Sequence, residues 1–100
     1  MILYLSGPIT ADMEQYKTKF DAAESYLAWK GHTVLNPAVH PRGLTYDDYM
    51  RINLAMLFAA DGIVMLAGWK NSDGSKLELN YALTCKKRVF YGIESVPVEG

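Results

Sequence analysis

The stretch Ala60–Leu83, A-D-G-I-V-M-L-A-G-W-K-N-S-D-G-S-K-L-E-L-N-Y-A-L, decides how the chain is folded. Ile63–Leu66 is a short, unbroken apolar run, as expected of a strand covered on both faces. A polar loop carrying Gly68 and Gly74 follows. The pattern then turns helical from roughly Ser75 to Lys86, with Glu78, Tyr81, Ala82 and Cys85 sharing one face. Strand, loop, helix is the repeating unit of an α/β protein.

The same unit recurs on either side. Ile2–Leu5 is a first apolar run, closed by Ser6-Gly7-Pro8. From Asp12 to Lys30 the apolar residues Met13, Tyr16, Phe20, Ala23 and Leu27 fall on one helical face, and Gly31 supplies the stop. Thr33-Val34-Leu35 is a second strand ended by Asn36-Pro37, and Ala38–Leu44 is expected to be a loop. Thr45 opens a second helix with Asp48 as capping-box partner, and its inward stripe is Tyr49, Ile52, Met56, Leu57 and Ala60. Val89-Phe90-Tyr91 is a fourth strand. Gly92–Gly100 shows no periodicity.

The order β-α-β-α-β-α-β with apolar strands predicts one domain over residues 1–100. It is expected to be a flavodoxin-like three-layer sandwich, with a four-stranded parallel sheet in the order 2-1-3-4 and three main helices. Ligands of such sheets bind beyond the carboxyl ends of the strands, at the switch point between strands 1 and 3. Topology therefore gathers Ser6–Thr10, Asn36–Pro37 and Gly68–Ser75 around one crevice.

Composition narrows the chemistry. Half of the 100 residues are hydrophobic and the net charge is −1, which offers no electrostatic footprint for a nucleic-acid polymer or an anionic membrane. The basic run Lys86-Lys87-Arg88 falls where the third helix should end, where it complements the helix dipole. A single cysteine, Cys85, excludes an internal disulfide and a cysteine-rich metal site, and its place on the apolar helix face marks it as a small core residue. The opening M-I-L-Y-L-S-G is too short for a signal peptide, and no stretch has the length of a membrane span, so a cytoplasmic protein is expected. After strand 1 stands S-G-P-I-T, neither a dinucleotide fingerprint nor a P-loop. His32 and His40 have no partner at zinc spacing, and no G-x-S-x-G elbow exists. No metal and no cofactor is implied, which leaves carboxylates, amides and hydroxyls at the crevice.

Glu78 has two readings at this level. Ser75-Lys76-Leu77-Glu78 fits the capping-box pattern S-x-x-E. Equally, a carboxylate on the apolar face beside the crevice is partly desolvated and available for chemistry. Asn53 sits on the inward stripe of the second helix, where a buried amide needs a partner, either a loop or a ligand. Tyr4 lies within a buried strand, with one hydroxyl to satisfy. Trp69 is on the crevice loop, able to stack on a planar ring or to cover the sheet end.

Taken together, Y-L-S-G-P-I at Tyr4–Ile9 and the spacing A-D-G-I-V-M-L-A-G-W-x-x-S-x-G-S-x-x-E-x-x-Y-A-L resemble the nucleoside 2-deoxyribosyltransferase-like superfamily. The short, phage- and bacteria-borne members are the most similar, and the resemblance runs from Tyr4 to about Tyr91. It implies that Glu78 is the nucleophile that attacks the anomeric carbon of a nucleoside, with Tyr4 orienting it. Ser6, Gly7, Pro8, Ile9, Asn36, Asn53, Trp69, Ser72, Gly74 and Ser75 would contact substrate. Ser72 matches a position that is serine in the related nucleoside 5′-monophosphate N-glycosidases and aspartate in the transferases, which tilts expectation toward a nucleotide. The resemblance also implies a homo-oligomer whose sites form near subunit contacts. Two departures stand out. Asn53 occupies the place of an aspartate that can act as acid, so leaving-group protonation would fall to Asp47, Asp48 or water. The chain also stops at Gly100, short of the C-terminal segment that completes a neighbour's site in longer members. The alternative to an enzyme is a non-catalytic nucleotide-binding module.

Overall fold

The computed structural model describes residues 1–9, 13–41 and 43–99. Its elements are β1 (Ile2–Ser6), α1 (Met13–Trp29), β2 (Thr33–Leu35), α2 (Tyr46–Ala59), β3 (Gly62–Met65), α3 (Asp73–Thr84) and β4 (Arg88–Tyr91). Single 3-10 turns occur at Pro37–Val39, Trp69–Asn71 and Ile93–Ser95. The sheet order is β2-β1-β3-β4 with every pairing parallel, the expected flavodoxin-like arrangement.

Strand alternation builds the three layers. Leu3, Leu5 and Val64 point to one face and are covered by Tyr16, Phe20, Ala23 and Leu27 of α1. Tyr4, Ile63 and Met65 point to the other, where Leu57 and Ala60 meet Leu79 and Ala82 from α2 and α3. Ser6 follows Tyr4 by two residues, so its side chain leaves β1 on the same face, toward α3. No helix among the described residues is long and apolar enough to cross a membrane.

Several local expectations are corrected. The expected start of α1 at Asp12 and the side chain of Met13 lie outside the described residues. Ile52 is exposed rather than inward, because the buried arc of α2 runs through Asn53 and Leu57 and leaves Ile52 at its edge. Cys85 is exposed: it follows the last residue of α3 as the C-cap, and the helix has already turned away from the core. The basic run serves a different helix from the one expected. Lys87 Nζ donates to the carbonyls of Phe58 (2.9 Å) and Ala60 (2.7 Å), satisfying the C-terminal end of α2 rather than α3. The tail, unpatterned in sequence, folds back on α1. Val96 is buried there, and the buried Lys30 ammonium donates to its carbonyl at 2.6 Å while His32 Nε2 lies 2.7 Å from the carbonyl of Pro97.

The end of α3 carries a cost. The Lys87 and Lys86 N–H groups bond back to the carbonyls of Ala82 and Leu83, a Schellman closure that puts Lys86 at φ +58°. A side chain in that region costs roughly 1–2 kcal/mol, part of which glycine gives back as unfolded-state entropy. Lys86→Gly is therefore expected to stabilise the fold by about 0.5–1 kcal/mol, raising Tm by about 3–6 °C in a thermal melt. An unchanged or lowered Tm would contradict this account of the turn.

Candidate active site

A cavity of about 540 Å³ opens beyond the carboxyl end of β1, at the β1/β3 switch point, well within the range of roughly 300–1,000 Å³ that small-molecule sites occupy. β1 and its following loop contribute Tyr4, Ser6, Gly7 and Ile9, and α1 contributes Tyr16 and Phe20. Pro37, Ala38 and His40 come from the loop after β2, while α2 supplies Tyr46, Tyr49, Met50 and Asn53. Ser72, Asp73, Gly74, Ser75 and Glu78 close the site from α3. Gly7 is required by space: a Cβ there would stand 3.0 Å from Leu66 Cβ and 3.4 Å from Phe20 Cζ.

Glu78 is the centre of this arrangement. Its side chain is buried, and each carboxylate oxygen has one donor: Tyr4 Oη gives to Oε2 and Ser6 Oγ to Oε1, both at 2.7 Å. Those donors share a face of β1, so one strand fixes both oxygens. Burial pushes the Glu78 carboxyl above the ordinary glutamate range, and the hydrogen bonds from Ser6 and Tyr4 pull in the other direction without overcoming it. Burial, and then the adjacent Glu78 charge, holds the Tyr4 hydroxyl far above the usual tyrosine range, so it stays a donor. The Tyr16 hydroxyl is pushed up to about 12, first by burial and then by Tyr49 and Glu78.

Glu78 is not half of a capping box. α3 begins at Asp73, two residues earlier than expected, because Ser72 is the N-cap and its Oγ accepts from the Ser75 N–H at 3.2 Å. Glu78 thus lies in the second turn, out of reach of the cap backbone. Ser75, freed of that duty, leaves its buried Oγ without a hydrogen-bond partner among the described residues. A buried hydroxyl of this kind at a cavity wall is unusual unless a ligand completes it.

The profile of DUF4406, a domain family of unknown function, matches residues 1–91. The chain belongs to this family. No curated protein matches it. The match takes in the four strands and three helices among the described residues of this DUF4406 chain, and with them every residue of the cavity.

The cavity brings together Tyr4, Ser6, Gly7, Ile9, Asn53, Ser72, Gly74, Ser75 and Glu78, and leaves Pro8, Asn36 and Trp69 outside. Pro8 turns from the cavity toward Gly68, whose Cβ would meet Pro8 Cγ at 3.2 Å. Asn36 is consumed structurally. Its Oδ1 caps the 3-10 turn through the Ala38 N–H (2.8 Å), and its Nδ2 gives to Asp21 and Glu24, both at 2.9 Å. Trp69 faces a separate open recess, tilted against Tyr91 with ring centroids 5.8 Å apart. The 3-10 turn Trp69–Asn71, entered through Gly68 at φ +87°, carries that ring away. Thr10, also expected at the crevice, is outside the described residues.

Sequence reasoning misses the aromatic wall and His40. Periodicity assigns Tyr16, Phe20 and Tyr49 to the interior; Tyr16 and Phe20 are buried in the core, Tyr49 is only half-buried and belongs to neither core cluster, and all three line the cavity. Neither Asp47 nor Asp48 lines the cavity. Asp47 is exposed, and Asp48 accepts from the Thr45 backbone N–H at 3.0 Å in the expected capping box. Among the described residues no group of three or more histidine, cysteine, aspartate or glutamate side chains could hold a metal ion.

Proposed function

We propose that the chain cleaves the N-glycosidic bond of a deoxynucleoside or its 5′-monophosphate, by hydrolysis or transfer, with Glu78 as nucleophile. The observation that carries this is the buried Glu78 carboxylate, held by Tyr4 and Ser6 on the wall of an aromatic cavity. A glycosyl group leaving its base develops oxocarbenium character, and a desolvated carboxylate both stabilises that charge and traps it as a glycosyl ester. The resemblance to the nucleoside 2-deoxyribosyltransferase-like superfamily supports the same assignment, with Tyr4 orienting the nucleophile. Tyr16, Phe20 and Tyr49 offer apolar and aromatic surface to a base. The N-terminus of α3, with the free Ser75 hydroxyl and the Ser72 cap, offers donors to a 5′-phosphate or a sugar hydroxyl. A homo-oligomer and a cytoplasmic location belong to the same proposal.

The test is direct. The protein is incubated with each of the four deoxynucleosides and their monophosphates, and free or exchanged base is followed chromatographically. Release that disappears in Glu78→Ala supports the proposal. No release from any of the eight, with Glu78→Ala binding and melting as wild type does, defeats it.

Asn53 favours a second reading, a nucleotide-binding module without turnover, because an amide cannot supply the proton that an aspartate in its place could. Under that reading a deoxynucleotide raises Tm without being consumed. Asn53→Asp separates the two: turnover that first appears in the variant establishes the binder, whereas turnover already present in wild type excludes it.

A further inference from the structure

An acid is still missing from this chemistry. A base leaving a sugar carries an electron pair that must be protonated, and the candidates in the cavity fall away one by one. Tyr4 is committed to Glu78, Tyr16 is too weak an acid, the Tyr49 hydroxyl gives to the Pro41 carbonyl at 3.2 Å, and Tyr46 is 62% exposed at the rim. The Asp73 side chain is 99% exposed at the start of α3, paired with the Lys76 ammonium 4.0 Å away and turned to solvent rather than into the cavity's interior.

His40 remains, and the structure holds it in place. Pro37 starts the 3-10 turn, and Pro41 confines His40 to extended backbone, seen at φ −66°, ψ 146°. From there the imidazole reaches α2, where Nε2 lies 2.7 Å from Asn53 Oδ1. An amide oxygen only accepts, so Nε2 carries hydrogen and Nδ1 is the nitrogen that gains and loses the proton. Nδ1 has no partner among the described residues, and the imidazole lines the same cavity as Glu78. Asn53 is thus the part that orients the acid, as the carbonyl or carboxylate partner does for other active-site histidines.

We infer that His40, oriented by Asn53, is the general acid that protonates the departing base, and that in hydrolysis it then deprotonates the attacking water. This rests on the glycosidic chemistry proposed above. In the first step a Glu78 oxygen forms a bond to C1′ and the C1′–N bond breaks. Its electron pair stays with the base, which takes the Nδ1 proton. In the second, water attacks C1′, neutral Nδ1 receives the water proton, and Glu78 departs as carboxylate. The other titratable groups sharing the cavity are Glu78 and Asp73 from α3, Tyr4 from β1, Tyr16 from α1, and Tyr46 and Tyr49 from α2.

The test compares a deoxynucleoside with the 4-nitrophenyl 2-deoxyriboside, whose leaving group needs no proton. In wild type, kcat/KM for the nucleoside should fall on an alkaline limb that the nitrophenyl substrate lacks; this needs no variant. His40→Gln should lose about 10²-fold or more on the nucleoside, in the range of general acid–base effects, and less than tenfold on the nitrophenyl substrate. Equal losses on both substrates, or the same alkaline limb on both, would overturn the role of His40 while leaving Glu78 standing. If wild type cleaves neither substrate, the glycosidic proposal falls and this inference falls with it.

Discussion

Glu78→Gln is expected to reduce base release by at least about 10³-fold, since the variant retains the cavity but has no nucleophile. It is also expected to make the protein more stable at neutral pH. The carboxyl is buried, and burial outweighs the two hydrogen bonds, so the folded state holds the Glu78 proton more tightly than the unfolded chain does. Folding is then favoured while Glu78 is protonated. That advantage is lost as pH rises from the ordinary glutamate value near 4.5 through the higher folded value. The amide of the variant does not titrate. Its oxygen accepts from Tyr4, and its NH₂ gives to a Ser6 hydroxyl that rotates to accept. The stability of Glu78→Gln relative to wild type should therefore grow with pH across that window and level off above it. Denaturant melts at a series of pH values test this. A variant less stable than wild type at every pH would mean that the carboxylate is a structural tie and not a strained functional group.

Tyr4→Phe removes one of the two donors and nothing else of comparable size. The ring stays in the core formed by Ile63, Met65 and Leu79, so the cost to folding is that of one buried hydrogen bond to a charged group, about 1.5–3 kcal/mol. The kinetic effect is expected to be larger. With only Ser6 on Oε1, Glu78 loses its fixed orientation, and kcat should fall by about 10²-fold. The sign of the pH effect is also set. A hydrogen bond to the charged form lowers an acid's pKa, so removing it pushes Glu78 still higher, and the acid limb of kcat/KM moves to higher pH. Ser6→Ala should move the limb in the same direction through the other oxygen. A limb that moves to lower pH in Tyr4→Phe would contradict the assignment of Tyr4 as a donor to the working carboxylate.

The architecture is legible in the sequence wherever burial on both faces forces a simple pattern. Ile2–Leu5 and Ile63–Leu66 are apolar throughout because helices cover both sides of the sheet, and the topology that follows brings the loops at their carboxyl ends to the cavity. Tyr4 and Ser6 can be assigned to one face from strand alternation alone, which is why their pairing with Glu78 is consistent with sequence position. What cannot be read is the conformation of short irregular segments. One left-handed residue, Gly68, decides that Trp69 leaves the cavity. A three-residue turn from Pro37 decides that Asn36 is used up as a cap while His40 enters the cavity. The S-x-x-E pattern at Ser75–Glu78 misleads because Ser72 is an equally good cap three residues earlier, and the choice between them depends on where the loop delivers the chain. Cys85 and Ile52 depart from expectation for a related reason. Helical periodicity fixes which residues share a face, but not where the helix ends or how wide its buried arc is.

The central claim is that Glu78 becomes covalently glycosylated. Mass spectrometry of protein quenched in acid during turnover of a 2-fluoro-2-deoxynucleoside or its 5′-monophosphate, whose fluorine slows release of the sugar from the ester, tests it most directly. The account predicts one sugar residue added to the peptide that contains Glu78, and none in Glu78→Gln. Base release that proceeds equally in wild type and Glu78→Gln, with no adduct on that peptide, would contradict it.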